Sequence, residues 1–304
     1  MALFKKNPNK IKDPVGDRVL QVITTIIIVL LLIAVGYPVI YVISCSFSAG
    51  AALKAGRVVL LPINPTIAGY KFVFNYDTVW LGYRNSLFYA VFGTAINMFM
   101  SILLAYPLSK PDLPGKKYYN IFIVITMLFG AGMIPTFILK SQLGLVDTVW
   151  AILLSGAVSI HNTMIIRTSF RSSIPQELYE AAKIDGANDF RCLTSIALPL
   201  SKATLSVITL YYAVGHWNTY FTAMIYLRNR NLFPLQIFLK TILSAGDTID
   251  ASTIESETML AQIQEGTAQI KYALIVLSTV PVLLLYFLVQ KYFEKGVMVG
   301  SVKG

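Results

Sequence analysis

The chain has 304 residues, of which 56% are hydrophobic and only 13% charged, and its mean hydropathy of +0.65 excludes a soluble domain, whose surface needs roughly a quarter charged residues. The net charge of +10 does not indicate nucleic acid, because the bases sit between apolar runs and not in an arginine-rich or aromatic-interleaved patch. Of the two cysteines, Cys45 falls inside an apolar run and Cys192 in a polar loop, so neither a disulfide framework nor a metal-ligand spacing is present.

Residues 1–18 carry Lys5, Lys6, Lys10, Lys12 and Arg18, followed by an apolar run over 22–45 that is long enough to cross a hydrocarbon core of about 30 Å. A signal peptide is the alternative, but its apolar core spans about 7 to 15 residues, so a retained first helix is predicted. Residues 47–84 are turn-rich and read as an external loop of short surface helices. The second predicted span, 85–108, ends in the basic turn SKPDLPGKK, with Pro111, Pro114 and Gly115 as breakers. The third covers 119–139 with Pro135 inside it, and the fourth covers 149–167. A polar loop at 172–200 precedes the fifth span, 199–227; an external loop at 228–270 precedes the sixth, 271–290. With residues 1–18 placed inside, cytoplasmic segments hold five, three, five and three of the 25 Lys and Arg, so the positive-inside rule puts both termini and the 172–200 loop in the cytoplasm.

That loop, in its stretch EAAKIDGANDFRCLTSIALPL from residue 180 to 200, reads as a surface gripped by a partner protein. Ser173 and Gln176 have capping-box spacing, Pro175 suits a first helical turn, and Gly186 suits a left-handed C-terminus, which together predict a short self-terminating helix. On it Leu178, Ala181, Ala182 and Asp185 recur at i, i+3, i+4 and i+7, a narrow small-residue face flanked by Glu177, Glu180 and Lys183. The bland reading of Glu180 is a solvated helix charge.

Glu180-Ala181-Ala182, Gly186 three residues on, and Ile196-Ala197-Leu198-Pro199 after nine more resemble the EAA loop of the membrane subunits of binding-protein-dependent ABC importers. The C-terminal stretch from Gln290 through Lys295-Gly296-Val297-Met298 to Lys303-Gly304 resembles MalG-like permeases of carbohydrate importers. Gly215-His216-Trp217-Asn218 and Phe233-Pro234-Leu235-Gln236 add a resemblance to their LplC and YtcP-like branch. The resemblance covers almost the whole chain. It implies an all-α, six-span permease of the MetI-like type I importer fold over 19–304, forming half of a pore that imports a sugar or oligosaccharide. It further implies a second homologous permease, two copies of a cytoplasmic ATPase, and an extracytoplasmic solute-binding protein as partners in the cytoplasmic membrane. ATPase coupling then falls to Glu180, Ala181, Ala182, Asp185, Gly186, Leu198 and Pro199, and the C-terminal tail with Lys303 and Gly304 is expected to reach between the ATPases.

No GxxxxGK[ST] occurs, and Gly115-Lys116-Lys117 lacks both the upstream glycine and the following hydroxyl, so ATP and Mg are expected on the partner ATPases and no cofactor or metal on this chain. The fifth span supplies the expected substrate path: Tyr212, Trp217 and Asn218 offer aromatic faces for sugar C–H surfaces and polar groups for hydroxyls, although aromatics also form interfacial belts. His161 and Asn162 read as helix-packing residues. The main alternative, an ion-coupled secondary carrier, needs buried acids, yet no Asp or Glu lies within a predicted span. An intramembrane enzyme lacks any HExxH or GxSxG motif.

Overall fold

A computed structural model describes residues 14–244 and 268–301. Among these the chain is all-α. Its first helix, α1 (Val15–Ser46), is apolar on every side, and no residue of its most hydrophobic window is buried, as befits a surface that meets lipid. Only its end is tied down, by Cys45 packing on Ala52 and Val58 and by contact with the last helix, α16 (Ala268–Ser301). There the buried Gln269 uses its whole amide: Nε2 donates to the carbonyls of Ser46 (3.0 Å) and Thr66 (2.6 Å), while Oε1 accepts from Gly69 N–H (3.2 Å).

The segment expected to be an external loop contributes more than surface helices. After α2 (Gly50–Lys54) and α3 (Ala68–Phe74), α4 (Asp77–Phe88) continues through a π turn at Tyr89–Gly93 into α5 (Thr94–Ser109). The result is one apolar helix from Asp77 to Ser109, beginning well before the predicted boundary at residue 85. The reason is facial: Val79, Gly82, Asn85 and Ser86 all turn inward. The two polar ones hold the returning chain, with Asn85 Nδ2 donating to the carbonyls of Asn231 and Phe233 and Ser86 Oγ accepting from Leu235 N–H.

Three predicted spans are broken, the fifth at 201 and again at 218–219. The third divides into α6 (Lys116–Leu128) and α7 (Met133–Gln142), bent by 111°, because Gly130 and Gly132 interrupt it and Gly132 has φ +76°, leaving Pro135 in a first turn where a missing N–H is harmless. The fourth divides into α8 (Trp150–Leu153) and α9 (Ile160–Ser172) around an irregular stretch at 154–159. Backbone freed at membrane depth needs partners, and it has them: Asn97 Nδ2 donates to Gly156 O (3.1 Å) and Ser159 N–H donates to Tyr212 Oη (3.3 Å). Among the described residues three helices are long and apolar enough to cross a membrane, or five if two bent pairs, Lys116–Leu128 with Met133–Gln142 and Asp189–Leu200 with Lys202–Trp217, are each one span.

The remaining elements are α10 (Gln176–Ile184), α11 (Asp189–Cys192), a π turn at Leu193–Ala197, α12 (Leu198–Leu200), α13 (Lys202–Trp217), α14 (Tyr220–Tyr226) and α15 (Leu235–Ser244). Two cores occupy opposite ends of the bundle. One joins Ala105, Tyr106, Ile166, Phe170, Cys192, Ala197 and Ile208 beneath α10. The other joins Val73, Val79, Trp217, Leu235, Ile242, Ile270 and Leu274, so α15, inside the segment predicted to be a polar loop, is a packed element.

Candidate functional site

The loop that the sequence marks as a partner surface folds into a short helix, a reversal and an elbow. Helix α10 starts at Gln176 with Pro175 immediately before it, and no side chain caps it; the Ser173–Gln176 capping box does not form. Its other end does follow the sequence. Gly186 takes φ +76°, its N–H donates to Lys183 O (3.0 Å) and Ala187 N–H donates to Ala182 O (2.8 Å), the paired bonds of a Schellman motif. Asn188 then caps α11 by accepting from Arg191 N–H (2.8 Å). At the far end Leu198 and Pro199 form α12, after which the chain bends by 84° into α13.

No residue of α10 is buried, but its faces differ. Tyr179 and Ala182 turn down onto the core below, together with Ala187 and Leu198. Ala181, Asp185 and Gly186 face outward, and so does Glu180, which accepts a hydrogen bond from Gln176 Nε2 (3.0 Å). The predicted stripe is therefore split, with Ala182 inward and Ala181 outward. Sequence reading passed over two stronger features: Ile184 is 87% exposed and Phe190 is 72% exposed. They stand on either side of Gly186 in the chain, and large apolar side chains held out this way suit a contact surface. The signal available in the sequence was an apolar residue on each side of a glycine turn.

A second site lies along the same bundle. Asn97, Ile152, Ser155, Gly156, Tyr212 and His216, with Tyr211, Gly215, Thr219 and Thr222, line a cavity of about 200 Å³. His216 packs so closely on Gly93 that a Cβ there would stand 2.4 Å from its Cε1. Asn97 is 3% and His216 6% exposed, and Asn97 Oδ1 and His216 Nε2 have no hydrogen-bond partner. Tyr212 Oη bonds Ser101 Oγ at 2.6 Å. Of the three residues expected on a substrate path, Tyr212 lines this cavity and two do not. Trp217 is 4% exposed in the core at the opposite end from α10, with its indole N–H donated to Ser278 O (2.9 Å). Asn218 terminates α13 at the surface, its N–H donating to Val214 O. Of the polar pair on the fourth segment, Asn162 is buried and His161 is exposed. Lys303 and Gly304 lie outside the described residues.

A bundle of apolar helices with a short exposed helix at one end and a polar cavity between its helices has the architecture of a membrane transport subunit. Over residues 78–299 the chain matches the family described as binding-protein-dependent transport system inner membrane component, and it belongs to that family. It is 40% identical over 269 residues to the polygalacturonan/rhamnogalacturonan transport system permease protein YtcP of Bacillus subtilis (strain 168), covering 88% of this chain and 92% of that one. Protein LplC of the same organism is 39% identical, with 88% and 89% covered. The crystal structure of a bacterial ABC transporter involved in the import of the acidic polysaccharide alginate superposes with a TM-score of 0.83 at 34% identity, over 93% of this chain and 100% of that chain. The chain is thus a multi-pass permease subunit of an ABC importer and not an ion-coupled secondary carrier.

Proposed function

We propose that this permease forms half of the pore of an oligosaccharide importer and takes its motion from an ATPase docked on α10 and the Gly186 turn. The observation that carries the docking is the exposed surface of Glu180, Ala181, Asp185, Ile184 and Phe190 around a glycine whose φ is positive. Exposed apolar side chains among charged ones are the composition of a small, specific protein interface. The elbow at Leu198 and Pro199 turns a push on this surface into α13, and Ala182 seats the helix on its own core. The sugar assignment rests on relatives whose names specify polygalacturonan, rhamnogalacturonan and arabinooligosaccharides.

The remaining parts follow the same reading. A second homologous permease completes the pore, two ATPase copies bind ATP and Mg, and an extracytoplasmic binding protein delivers the sugar. Both termini are cytoplasmic, and the tail with Lys303 and Gly304 reaches the ATPases. The stretch of substrate path on this chain is the cavity at Asn97, Tyr212 and His216, whose unpartnered acceptor and imidazole nitrogen suit hydroxyl groups; Trp217 supports it from the adjoining core and Asn218 marks the end of its helix.

The test is purification of the full transporter from its native membrane with and without Glu180→Lys. Wild type is expected to retain an ATPase and a second permease, and the variant to lose the ATPase. Wild type that purifies alone and still transports sugar overturns the reading.

A further inference from the structure

Helix α10 has no buried residue, so its hold on the bundle depends on a few contacts. The most specific of these is made by Lys110, in the turn after α5. Its Nζ lies 3.3 Å from the ring centroid of Tyr179 on α10 and 4.6 Å from that of Tyr106 on α5. Tyr106 in turn packs edge-on against Phe170 of α9, with centroids 6.1 Å apart at 80°. One ammonium is held between two aromatic faces from two different elements. Among the described residues it has no carboxylate within ion-pair distance, and the hydroxyls of both tyrosines are buried without a hydrogen-bond partner. The rings therefore act through their faces. Lys116 fixes the turn by donating from Nζ to Lys110 O (2.6 Å). A second tie, Lys183 to Asp112 at 3.7 Å, is solvent-exposed and contributes little.

The helix at the other side of this contact is the one that reaches the cavity. From Lys110, α5 runs back through Ser101, bonded to Tyr212, to Asn97 in the cavity wall, about 20 Å along a continuous helix at 1.5 Å per residue. We propose that Lys110 is a positioning residue of the transport cycle, clamped between Tyr106 and Tyr179 so that displacement of α10 is delivered to α5 and through it to the cavity. This rests on the reading of α10 as the ATPase-docking helix. Burial lowers the Lys110 amine below the ordinary lysine range, with Asp189 opposing the shift; desolvation of this kind strengthens attraction to an aromatic face.

The experiment uses the complete transporter, with both permeases, the ATPase and the binding protein reconstituted in liposomes, and reads sugar moved per ATP hydrolysed together with retention of the ATPase. Lys110→Met and Tyr179→Leu are expected to keep the ATPase bound and to lower that ratio about tenfold, the equivalent of ~1.4 kcal/mol. Lys110→Arg and Tyr179→Phe, which keep a cation and a ring, are expected to stay within about twofold of wild type. The double variant Lys110→Met with Tyr179→Leu is expected to be no worse than either single one, as for two residues in one contact. Retained ATPase with an unchanged ratio in Lys110→Met overturns the clamp alone, and so does a Tyr179→Phe variant as impaired as Tyr179→Leu. Failure of wild type to retain the ATPase overturns the docking reading and the clamp with it.

Discussion

The docking turn and the cavity each depend on one glycine, for opposite reasons. At Gly186 a Cβ would meet nothing within 4 Å, but φ is +76°; the glycine is there for its backbone. At Gly93, the last residue of the π turn, φ and ψ are helical, but a Cβ would stand 2.4 to 2.6 Å from three ring atoms of His216; the glycine is there for its missing side chain. The surface proposed to meet a partner is shaped locally, by one turn and its own hydrogen bonds. The cavity is shaped by elements far apart in the chain, α5, α8, the irregular stretch at 154–159 and α13, brought into contact. Damage to the first spares the bundle, whereas damage to the second reaches the fold.

The largest effect is therefore expected at Gly93. Gly93→Val pushes a branched side chain into the buried His216 ring, which must be displaced, and overpacking of this kind costs about 1–3 kcal/mol. The variant is expected to give little folded protein, measured by monodispersity and melting temperature in detergent; a normally folded Gly93→Val removes the distinction drawn between the two glycines. Gly186→Val forces a β-branched residue to positive φ, at a cost of roughly 1–2 kcal/mol or more. Here the bundle is expected to melt within a few degrees of wild type while ATPase retention and coupled uptake fall by about tenfold or more. Gly186→Asn, which tolerates the left-handed region, is expected to recover most of both.

Substitutions in the cavity wall should affect substrate and leave docking intact. Asn97→Leu removes an acceptor and one tie to the broken fourth segment; His216→Phe keeps the ring that fills the space under Gly93 and removes its nitrogens. If each group serves a sugar hydroxyl at about 0.5–1.5 kcal/mol, uptake at low sugar concentration is expected to fall about threefold to tenfold, with basal ATPase activity unchanged. Equal losses of uptake and ATPase retention in His216→Phe argue that the cavity belongs to the coupling apparatus.

The two regions also differ in how far they can be read from sequence. Gly186, Asn188 and Pro199 act on their immediate neighbours, and their residue types suffice to place a reversal, a cap and an elbow. The Ser173–Gln176 box is as local yet does not form, because Pro175 occupies the position before α10 and the helix starts two residues later than the box requires. The cavity has no local signature. His216 stands beside Trp217 and Asn218 in a single polar-aromatic run, and nothing local says that successive positions on α13 face a cavity, a core and the helix end. Asn97 and Ser101 lie in an otherwise apolar span, where their inward face depends on α9 and α13. Hydropathy located the apolar segments but passed through the breaks at 129–132 and 154–159, since a few glycines and serines are diluted in a window of about 19 residues.

The smallest expected effect lies at the end of the bundle remote from α10, and it separates charge from shape. Asp147 sits at φ +61°, and its Oδ1 accepts from the N–H groups of Arg228 (2.8 Å) and Asn229 (2.7 Å) while its own N–H donates to Tyr226 O. These two backbone donors hold its carboxyl below the ordinary carboxylate range. A carboxylate with a depressed folded-state pKa contributes stability that is present above its unfolded pKa, near 4, and is lost as pH falls through the lower folded value. Asparagine tolerates the same left-handed backbone and keeps an acceptor oxygen, so Asp147→Asn removes the charge with the turn intact. The site is largely open to solvent, which limits the gain. The expected melting-temperature difference between wild type and Asp147→Asn is about 1–3 °C at neutral pH, narrowing toward zero in acid. A difference that stays unchanged however far the pH is lowered assigns the stabilisation to the shape of the turn, and the region then depends on backbone conformation as the Gly186 turn does.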